Sequence, residues 1–159
     1  MISQSISRIL SNRGIAEDHY QLRFERPKGI RGVRPGQFLQ IRVTPNTDPF
    51  LPRPLCVYDT GKHWMDVVYQ VVGKGTALLS QARPGDPIGI WGPLGNGVPL
   101  KQGAQTYLFI AGGVGIASLY LTAKEIVRKA NKRRSQFILL LGSRTRSMLH
   151  CYRDFRKLG

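Results

Sequence analysis

Short runs in which apolar and polar residues alternate fill the first hundred residues and predict β-strands. Glycine, proline and asparagine turn signals separate the runs, and a short helix over residues 76–82 interrupts them. This spacing predicts a small antiparallel barrel or sandwich. The predicted strands are residues 5–10 (closing at a turn over 12–14), 20–25, 38–43, 55–58, 65–72 and 87–91.

The pattern changes after Pro99 and predicts a β-α-β-α unit. An apolar strand over residues 107–111 precedes a helical pattern over 116–132. A continuous apolar strand over 137–141, of the kind covered on both faces in parallel sheets, precedes a last helix over 146–157. We therefore expect two domains, residues 1–100 and 101–159.

Two parallel strands form a poor independent sheet because their apolar faces need further elements to cover them. We therefore expect that the chain is a truncated piece of a longer protein. The alternative is a second subunit, for example in a homo-oligomer, that covers the incomplete sheet.

Charge and composition narrow the class of protein. The 159 residues carry 24 Lys and Arg against 9 Asp and Glu, a net charge of +15. This excess favours an anionic partner, namely nucleotide phosphates, an acidic protein surface or nucleic acid. A solvated basic helix face stays open as the alternative. No secretory signal and no bilayer-length apolar run is visible.

Cysteine and histidine usage restricts the chemistry. A Cys-ligated iron–sulfur cluster needs four thiolates, and the chain has only Cys56 and Cys151, so we expect no such cluster in this chain. The same scarcity of cysteines favours a cytoplasmic location. His19, His63 and His150 lie in unrelated contexts. We therefore predict neither a metal site nor a catalytic acid–base pair.

Two glycine turns carry the main candidate chemistry. Gly112-Gly113-Val114-Gly115-Ile116 links an apolar strand to a helix, the arrangement in which backbone N–H groups hold a phosphate. Gly73-Lys74-Gly75-Thr76 repeats it before the short helix, and we expect the amides of Gly75, Thr76 and Ala77 to face an anion. The alternative is that Thr76 is a plain N-cap and the glycines serve only the turn.

A third motif begins the fourth predicted strand, Arg53-Pro54-Leu55-Cys56-Val57. An arginine at a strand start can hold a pyrophosphate through forked, charge-assisted contacts. The alternative is an exposed arginine before a structural proline.

The order of these motifs resembles the ferredoxin–NADP reductase family, which has an Arg-Pro-x-Ser-like strand, then Gly-x-Gly-Thr, then Ala-Gly-Gly-x-Gly. Within that family, three segments are similar to the electron-transfer subunits of dihydroorotate dehydrogenase, and the resemblance covers nearly the whole chain. These segments are Pro35-Gly36-Gln37-Phe38, Gly92-Pro93-Leu94-Gly95-Asn96-Gly97 and Ala111-Gly112-Gly113-Val114-Gly115-Ile116-Ala117.

The resemblance implies an N-terminal antiparallel Greek-key β-barrel that binds FAD, followed by the first β-α-β-α part of a Rossmann-like nucleotide domain. It implies FAD as the cofactor and NAD(P)H as co-substrate. The implied FAD contacts are Arg53, Leu55, Cys56 and Val57, with Tyr69, Val71 and Val72 lining the flavin region and Gly75 and Thr76 holding the pyrophosphate. The implied pyridine-nucleotide turn is Gly113, Val114 and Gly115.

The function that the resemblance implies is flavin-dependent electron transfer between a nicotinamide cofactor and a redox partner. That partner is the dihydroorotate dehydrogenase catalytic subunit of pyrimidine biosynthesis or another redox protein. One alternative is another NAD(P)H–ferredoxin or hydrogenase-type reductase subunit. A non-enzyme alternative is a basic β-barrel that binds nucleic acid, although that hypothesis leaves both glycine turns unexplained.

Three residues depart from the family pattern or leave a choice open. Cys56 stands where serine or threonine is usual, and Ser118 where proline is usual. Arg144 follows the second nucleotide strand, where an acidic residue suits NAD and a cation suits NADP. The choice between NADH and NADPH therefore stays open.

Overall fold

The computed structural model describes residues 3–43, 48–100, 106–130, 135–145 and 151–158. Eight strands, three helices and one 3₁₀ turn are seen in these ranges. They are β1 Ser3–Ala16, β2 His19–Glu25, β3 Phe38–Arg42, β4 Arg53–Thr60, β5 Trp64–Gln70, α1 Lys74–Gln81, β6 Pro87–Leu94, β7 Thr106–Gly112, the 3₁₀ turn Gly113–Ile116, α2 Ala117–Lys129, β8 Gln136–Gly142 and α3 Tyr152–Arg156.

The first six strands close into an antiparallel barrel with the order β1-β2-β5-β4-β3-β6. β2 pairs with β5 rather than with β3, which makes β2–β5 a Greek key. Alternating residues of the strands meet inside and form an apolar core. The largest members of this core include Phe24, Leu39, Ile41, Met65 and Ile90. The predicted barrel is confirmed.

β1 is longer than predicted, and the turn expected at residues 12–14 was wrong. The strand continues to Ala16 and turns into β2 at Asp18, which has a φ of 53°. Arg13 donates a hydrogen bond to Gln21 of β2 over 2.7 Å, so this segment is held in the β1–β2 ladder.

The Asn12 side chain connects β1 to the end of α1. Its Nδ2 donates to the carbonyls of Leu79, over 2.7 Å, and Ala82, over 3.1 Å. Asn12 thereby satisfies carbonyls at the C-terminal end of α1.

The α/β unit has the predicted β-α-β-α order, with β7 and β8 paired in parallel. The start of the last predicted helix, residues 146–150, lies outside the described residues, and α3 begins at Tyr152. One face of the sheet packs against α2 and α3 through Phe109, Phe137 and Leu139.

No described element covers the opposite face of this two-stranded sheet. Its exposed apolar side chains are Leu108, Ile110 and Leu140, which are 53–66% accessible. α2 and α3 lie on the same side, so the sheet is incomplete within this chain, as expected, and what covers its open face stays a prediction. The predicted domain boundary adjoins residues 101–105, outside the described ranges, and stays a prediction.

α2 packs on the barrel as well as on its own sheet. Leu121 joins the barrel core, whereas Tyr120, Ala123 and Ile126 belong to the second apolar cluster with Phe109 and Phe155. The helix therefore connects the two units. Among the described helices, none has the length and apolar character needed to cross a membrane.

Candidate functional site

A cavity of ≈ 460 Å³ lies between the barrel and the start of α2. β4 and β5 form one wall, Val72 and Thr76 lie beside them, and the glycine turn with the first residues of α2 forms the other wall. This cavity brings all three sequence motifs together. Its lining residues are Arg53, Pro54, Leu55, Cys56, Val68, Tyr69, Gln70, Val72, Thr76, Val114, Gly115, Ala117 and Ser118.

Arg53 and Gly75 are packed against each other at one end of the cavity. A Cβ atom built on Gly75 would lie 2.5 Å from Arg53 Cζ, far inside a normal contact, so only glycine leaves room for the guanidinium here. A further N–H of the guanidinium donates to the Leu51 carbonyl. Arg53 therefore lies beside the N-terminal end of α1, where its positive charge adds to the partial positive charge of the helix.

The first turn of α1 presents backbone donors. Lys74, Gly75 and Thr76 are its first three residues, whose amides have no partner within the helix. The turn holds no acidic residue, and its N-cap, Gly73, has no side chain that could accept from these amides. The expectation that the Ala77 amide faces an anion was wrong, because this amide donates to the Gly73 carbonyl over 2.9 Å.

The Thr76 side chain forms hydrogen bonds with the backbone of the turn. Its Oγ1 accepts hydrogen bonds from the amides of Val72, over 2.9 Å, and Gly73, over 3.2 Å, and its hydroxyl donates to the Gly73 carbonyl over 3.0 Å. Thr76 is thus the third helical residue rather than the N-cap, which is Gly73. Its amide can face a ligand, whereas its hydroxyl is engaged.

The second glycine turn forms the opposite wall. Gly113 has a φ of 51°, a left-handed conformation that glycine adopts at little cost. A Cβ built on Gly112, Gly113 or Gly115 would meet no atom within 4 Å, so the space over the turn is open. Ser118, which replaces the usual proline, donates to the Gly115 carbonyl over 2.8 Å. The turn can therefore accept a group as close as the backbone allows.

Two residues named from the resemblance lie in positions that limit their roles. The Val57 side chain is buried in the barrel core, and its amide donates to the Gln37 carbonyl over 3.1 Å. Val71 packs against the same core, and its amide donates to the Asp18 carbonyl over 2.7 Å. Neither residue lines the cavity. Val72, in contrast, is 78% exposed at its mouth.

Cys56 and Tyr69 contribute neutral groups to the barrel wall. Burial raises the pKa of the Cys56 thiol above its usual value, which keeps it protonated at neutral pH. Burial also raises the pKa of Tyr69, whose hydroxyl donates to Asn12 Oδ1 over 3.1 Å. Apart from Arg53, the residues that line the cavity carry no ionised side chain.

Sequence reasoning missed five of the lining residues: Pro54, Val68, Gln70, Ala117 and Ser118. Pro54 and Ala117 lie within the quoted motifs, and Val68, Gln70 and Ser118 each lie one position from a motif residue or a predicted site residue. Among the described residues, no group of three or more His, Cys, Asp or Glu side chains could hold a metal ion.

A second concavity of ≈ 620 Å³ lies on β1, β3 and β6 and is larger. Gln4, Arg42 and Trp91 are among its lining residues, and none of the three motifs reaches it. We therefore take the ≈ 460 Å³ cavity as the candidate site, because it unites an arginine, two glycine turns and free helix N-terminal amides.

Comparison with known proteins agrees with this geometry. No protein-family model matches the chain. The barrel and its attached α/β unit match the ferredoxin-reductase type of FAD-binding fold. The structure of an NADH-dependent reduced ferredoxin–NADP oxidoreductase, described for flavin-based electron bifurcation, superposes with a TM-score of 0.80 and 33% identity, over 96% of this chain and 53% of that one. A ferredoxin reductase of carbazole 1,9a-dioxygenase gives a TM-score of 0.82 at 21% identity, over 98% and 47% of the two chains.

Within this class, the chain is homologous to the electron-transfer subunits of dihydroorotate dehydrogenase B (NAD⁺). The Bacillus caldolyticus subunit is 35% identical over an alignment of 163 residues, which covers 100% of this chain and 62% of that protein. The Caldanaerobacter subterraneus subsp. tengcongensis subunit is 45% identical over 126 residues, 79% of this chain and 48% of that protein. The chain thus spans less than two thirds of the length of these relatives.

Proposed function

We propose that the chain binds FAD in the ≈ 460 Å³ cavity and transfers electrons between a nicotinamide cofactor and a redox protein. The observation that carries this proposal is that Arg53, Thr76 of the first glycine turn and Gly115 of the second line one cavity. Gly75 and Gly113 do not line it themselves, but Gly75 packs against Arg53 and Gly113 belongs to the same turn as Gly115. The homology to dihydroorotate dehydrogenase B electron-transfer subunits supports it.

The residues of the cavity fit a dinucleotide by their chemistry. Arg53 and the amides of Lys74, Gly75 and Thr76 supply a cation and N–H donors for a diphosphate. Leu55, the neutral Cys56 thiol and Tyr69 supply a surface suited to an uncharged flat ring. The open space over Gly113 and Gly115 suits the phosphates of a second dinucleotide.

Once held by Arg53 and the α1 amides, a flavin would supply the redox chemistry, namely hydride exchange with a nicotinamide and electron transfer to an acceptor. The chain's own contribution is to position the two rings and exclude water, so it needs no catalytic acid or base. Arg53 and the α1 amides orient one dinucleotide, and the Gly113–Gly115 turn orients the other.

We further propose that the partner is a dihydroorotate-oxidising catalytic subunit, because that is the assembly named by the relatives. A reductase that serves ferredoxin is a second candidate, favoured by the 33% identity to the ferredoxin–NADP oxidoreductase structure. A cytoplasmic location, the absence of an iron–sulfur cluster and a homo-oligomer remain predictions.

The hypothesis that the barrel binds nucleic acid has less support. Single-strand binding needs exposed aromatic side chains beside cations. Phe24 is fully buried, and Tyr20 is stacked on the buried Tyr69 with ring centroids 5.7 Å apart.

The test uses the purified full chain, mixed with FAD and separated from free cofactor. We expect retained visible flavin absorbance that NADH or NADPH bleaches under anaerobic conditions, and a loss of retention in Arg53→Ala. A colourless chain after reconstitution, or Arg53→Ala that retains FAD as well as the wild type, would contradict the proposal.

A further inference from the structure

The two walls of the candidate cavity continue into a second contact outside it. Cys56 of β4 lines the barrel wall, and Val114 and Ser118 line the opposite wall at the start of α2. Two or three residues further along β4 lie Tyr58 and Asp59, and further along α2 lie Tyr120 and Lys124. These four side chains, which we call the β4–α2 latch, contact each other across the boundary between barrel and α/β unit.

The aromatic half of the latch is a stacked pair. The rings of Tyr58 and Tyr120 lie 4.5 Å apart between centroids, with 19° between their planes. Phe155 of α3 packs edge-on against Tyr120 at 5.3 Å. The Tyr58 hydroxyl donates to Asp154 Oδ2 over 2.7 Å. Tyr58 is thus fixed on its ring face and at its hydroxyl, and it holds α2 and α3 against the barrel.

The ionic half of the latch is the pair between Lys124 and Asp59. Lys124 Nζ lies 2.7 Å from Asp59 Oδ1, and the Asp59 side chain is only 13% exposed. Asp59 pairs across the β4–β5 ladder with Asp66, which Arg23 holds in a two-point salt bridge. Lys124 is therefore the cation from α2 that offsets the Asp59 carboxylate beside a second carboxylate.

From this geometry we infer that the β4–α2 latch sets the width of the cavity and thereby the separation of the two dinucleotides, an inference that rests on the proposed function. The same strand and the same helix carry both the cavity walls and the latch, so loosening the latch moves one wall relative to the other. Lys124 and Tyr120 are positioning residues, since neither lines the cavity.

The test compares Lys124→Met, which keeps the aliphatic stem and removes the charge, with Lys124→Arg, which keeps the charge. Arg128→Met is the matched control, because Arg128 lies on the same helix and pairs with Glu125 within that helix. The first readout is the rate constant at which saturating NADH reduces the FAD-loaded full chain. A misplacement of about 1 Å can slow such a step by up to about 100-fold, and we expect about a tenfold loss in Lys124→Met.

We expect the FAD dissociation constant of Lys124→Met to stay within about twofold of wild type, because Arg53 and α1 belong to the barrel side. Lys124→Arg and Arg128→Met should reduce at nearly the wild-type rate. If Lys124 acts through Asp59, Asp59→Asn should slow reduction similarly, and the double variant should be no slower than either single variant.

The second readout is independent of activity. Hydrogen exchange of the peptide that carries residues 113–118 should be faster in Lys124→Met and Tyr120→Leu than in wild type, with no change in Arg128→Met. A wild-type chain that does not bind FAD would defeat the proposed function but leave this readout decisive. Unchanged exchange over residues 113–118 in both latch variants would overturn the inference, as would a rate loss that merely follows a loss of FAD affinity.

Discussion

Replacement of Gly75 by alanine should weaken FAD binding without weakening the fold. The new methyl group would stand 2.5 Å from Arg53 Cζ, where a normal contact between such atoms is about 3.5–4.0 Å. The guanidinium must then move by about 1 Å or more. Because it is the end of a flexible side chain, the protein accommodates this shift at little cost in stability. Alanine is also a better helix former than glycine by about 0.8–1.0 kcal/mol.

The cost should appear in the affinity for FAD. A hydrogen bond to a charged group contributes about 1.5–3 kcal/mol, so the loss of one such contact between Arg53 and the diphosphate raises the dissociation constant about 10- to 150-fold. Fluorescence titration of the apo chain with FAD measures this change, and thermal unfolding of the same samples measures stability. Gly32→Ala is the control, since Gly32 is exposed and a Cβ there meets nothing within 4 Å.

Two results would refute this reasoning. Gly75→Ala that binds FAD as tightly as wild type would show that Arg53 does not hold the diphosphate from its present position. Gly75→Ala that unfolds several degrees earlier would show that the crowding disturbs the barrel rather than the arginine. In an Arg53→Ala background, the additional effect of Gly75→Ala on affinity should vanish.

Three further predictions follow from the contacts already described. Cys56 should react slowly with iodoacetamide at pH 7 and faster as the pH rises toward its elevated pKa, and bound FAD should protect it from the reagent. Burial raises the pKa of Cys151 to about 11, so mass spectrometry should find that Cys151 reacts more slowly than Cys56 at pH 9 and that FAD does not protect it. Gly113→Ala should lower the free energy of unfolding by about 1–2 kcal/mol because of its positive φ, whereas Gly112→Ala, with a φ of −122°, should change it little in urea titrations. Asn12→Ala should destabilise the chain by about 1–3 kcal/mol in the same assay, since the carbonyls of Leu79 and Ala82 each lose one hydrogen bond and the buried Tyr69 hydroxyl loses its acceptor. A change below about 0.5 kcal/mol would contradict this.

Local pattern sufficed for most strands and for the motif positions. Alternation located β2 almost to the residue, and the strand–glycine–helix order located both turns. β1 was the exception, because residues 12–14 read as a turn signal in isolation. The Asn12 side chain instead bonds to residues 67 and 70 positions away in the sequence, and no local pattern reports such a partner.

The candidate site shows the same division between local and long-range information. Arg53, Gly75 and Gly115 were predictable because each belongs to a short motif. The fixed relation between Arg53 and Gly75 was not, because it depends on how β4 packs beside α1. The latch was also invisible in the sequence, since Asp59 and Lys124 are 65 positions apart and Tyr58 and Tyr120 are 62 apart.

The most direct test of the central claim is a crystal structure of the chain with FAD bound. The account predicts that the diphosphate lies within hydrogen-bond distance of Arg53 and of the amides of Gly75 and Thr76, with the flavin ring against Leu55 and Cys56. FAD found instead in the larger concavity beside Gln4 and Trp91, with the Arg53 cavity empty, would contradict it.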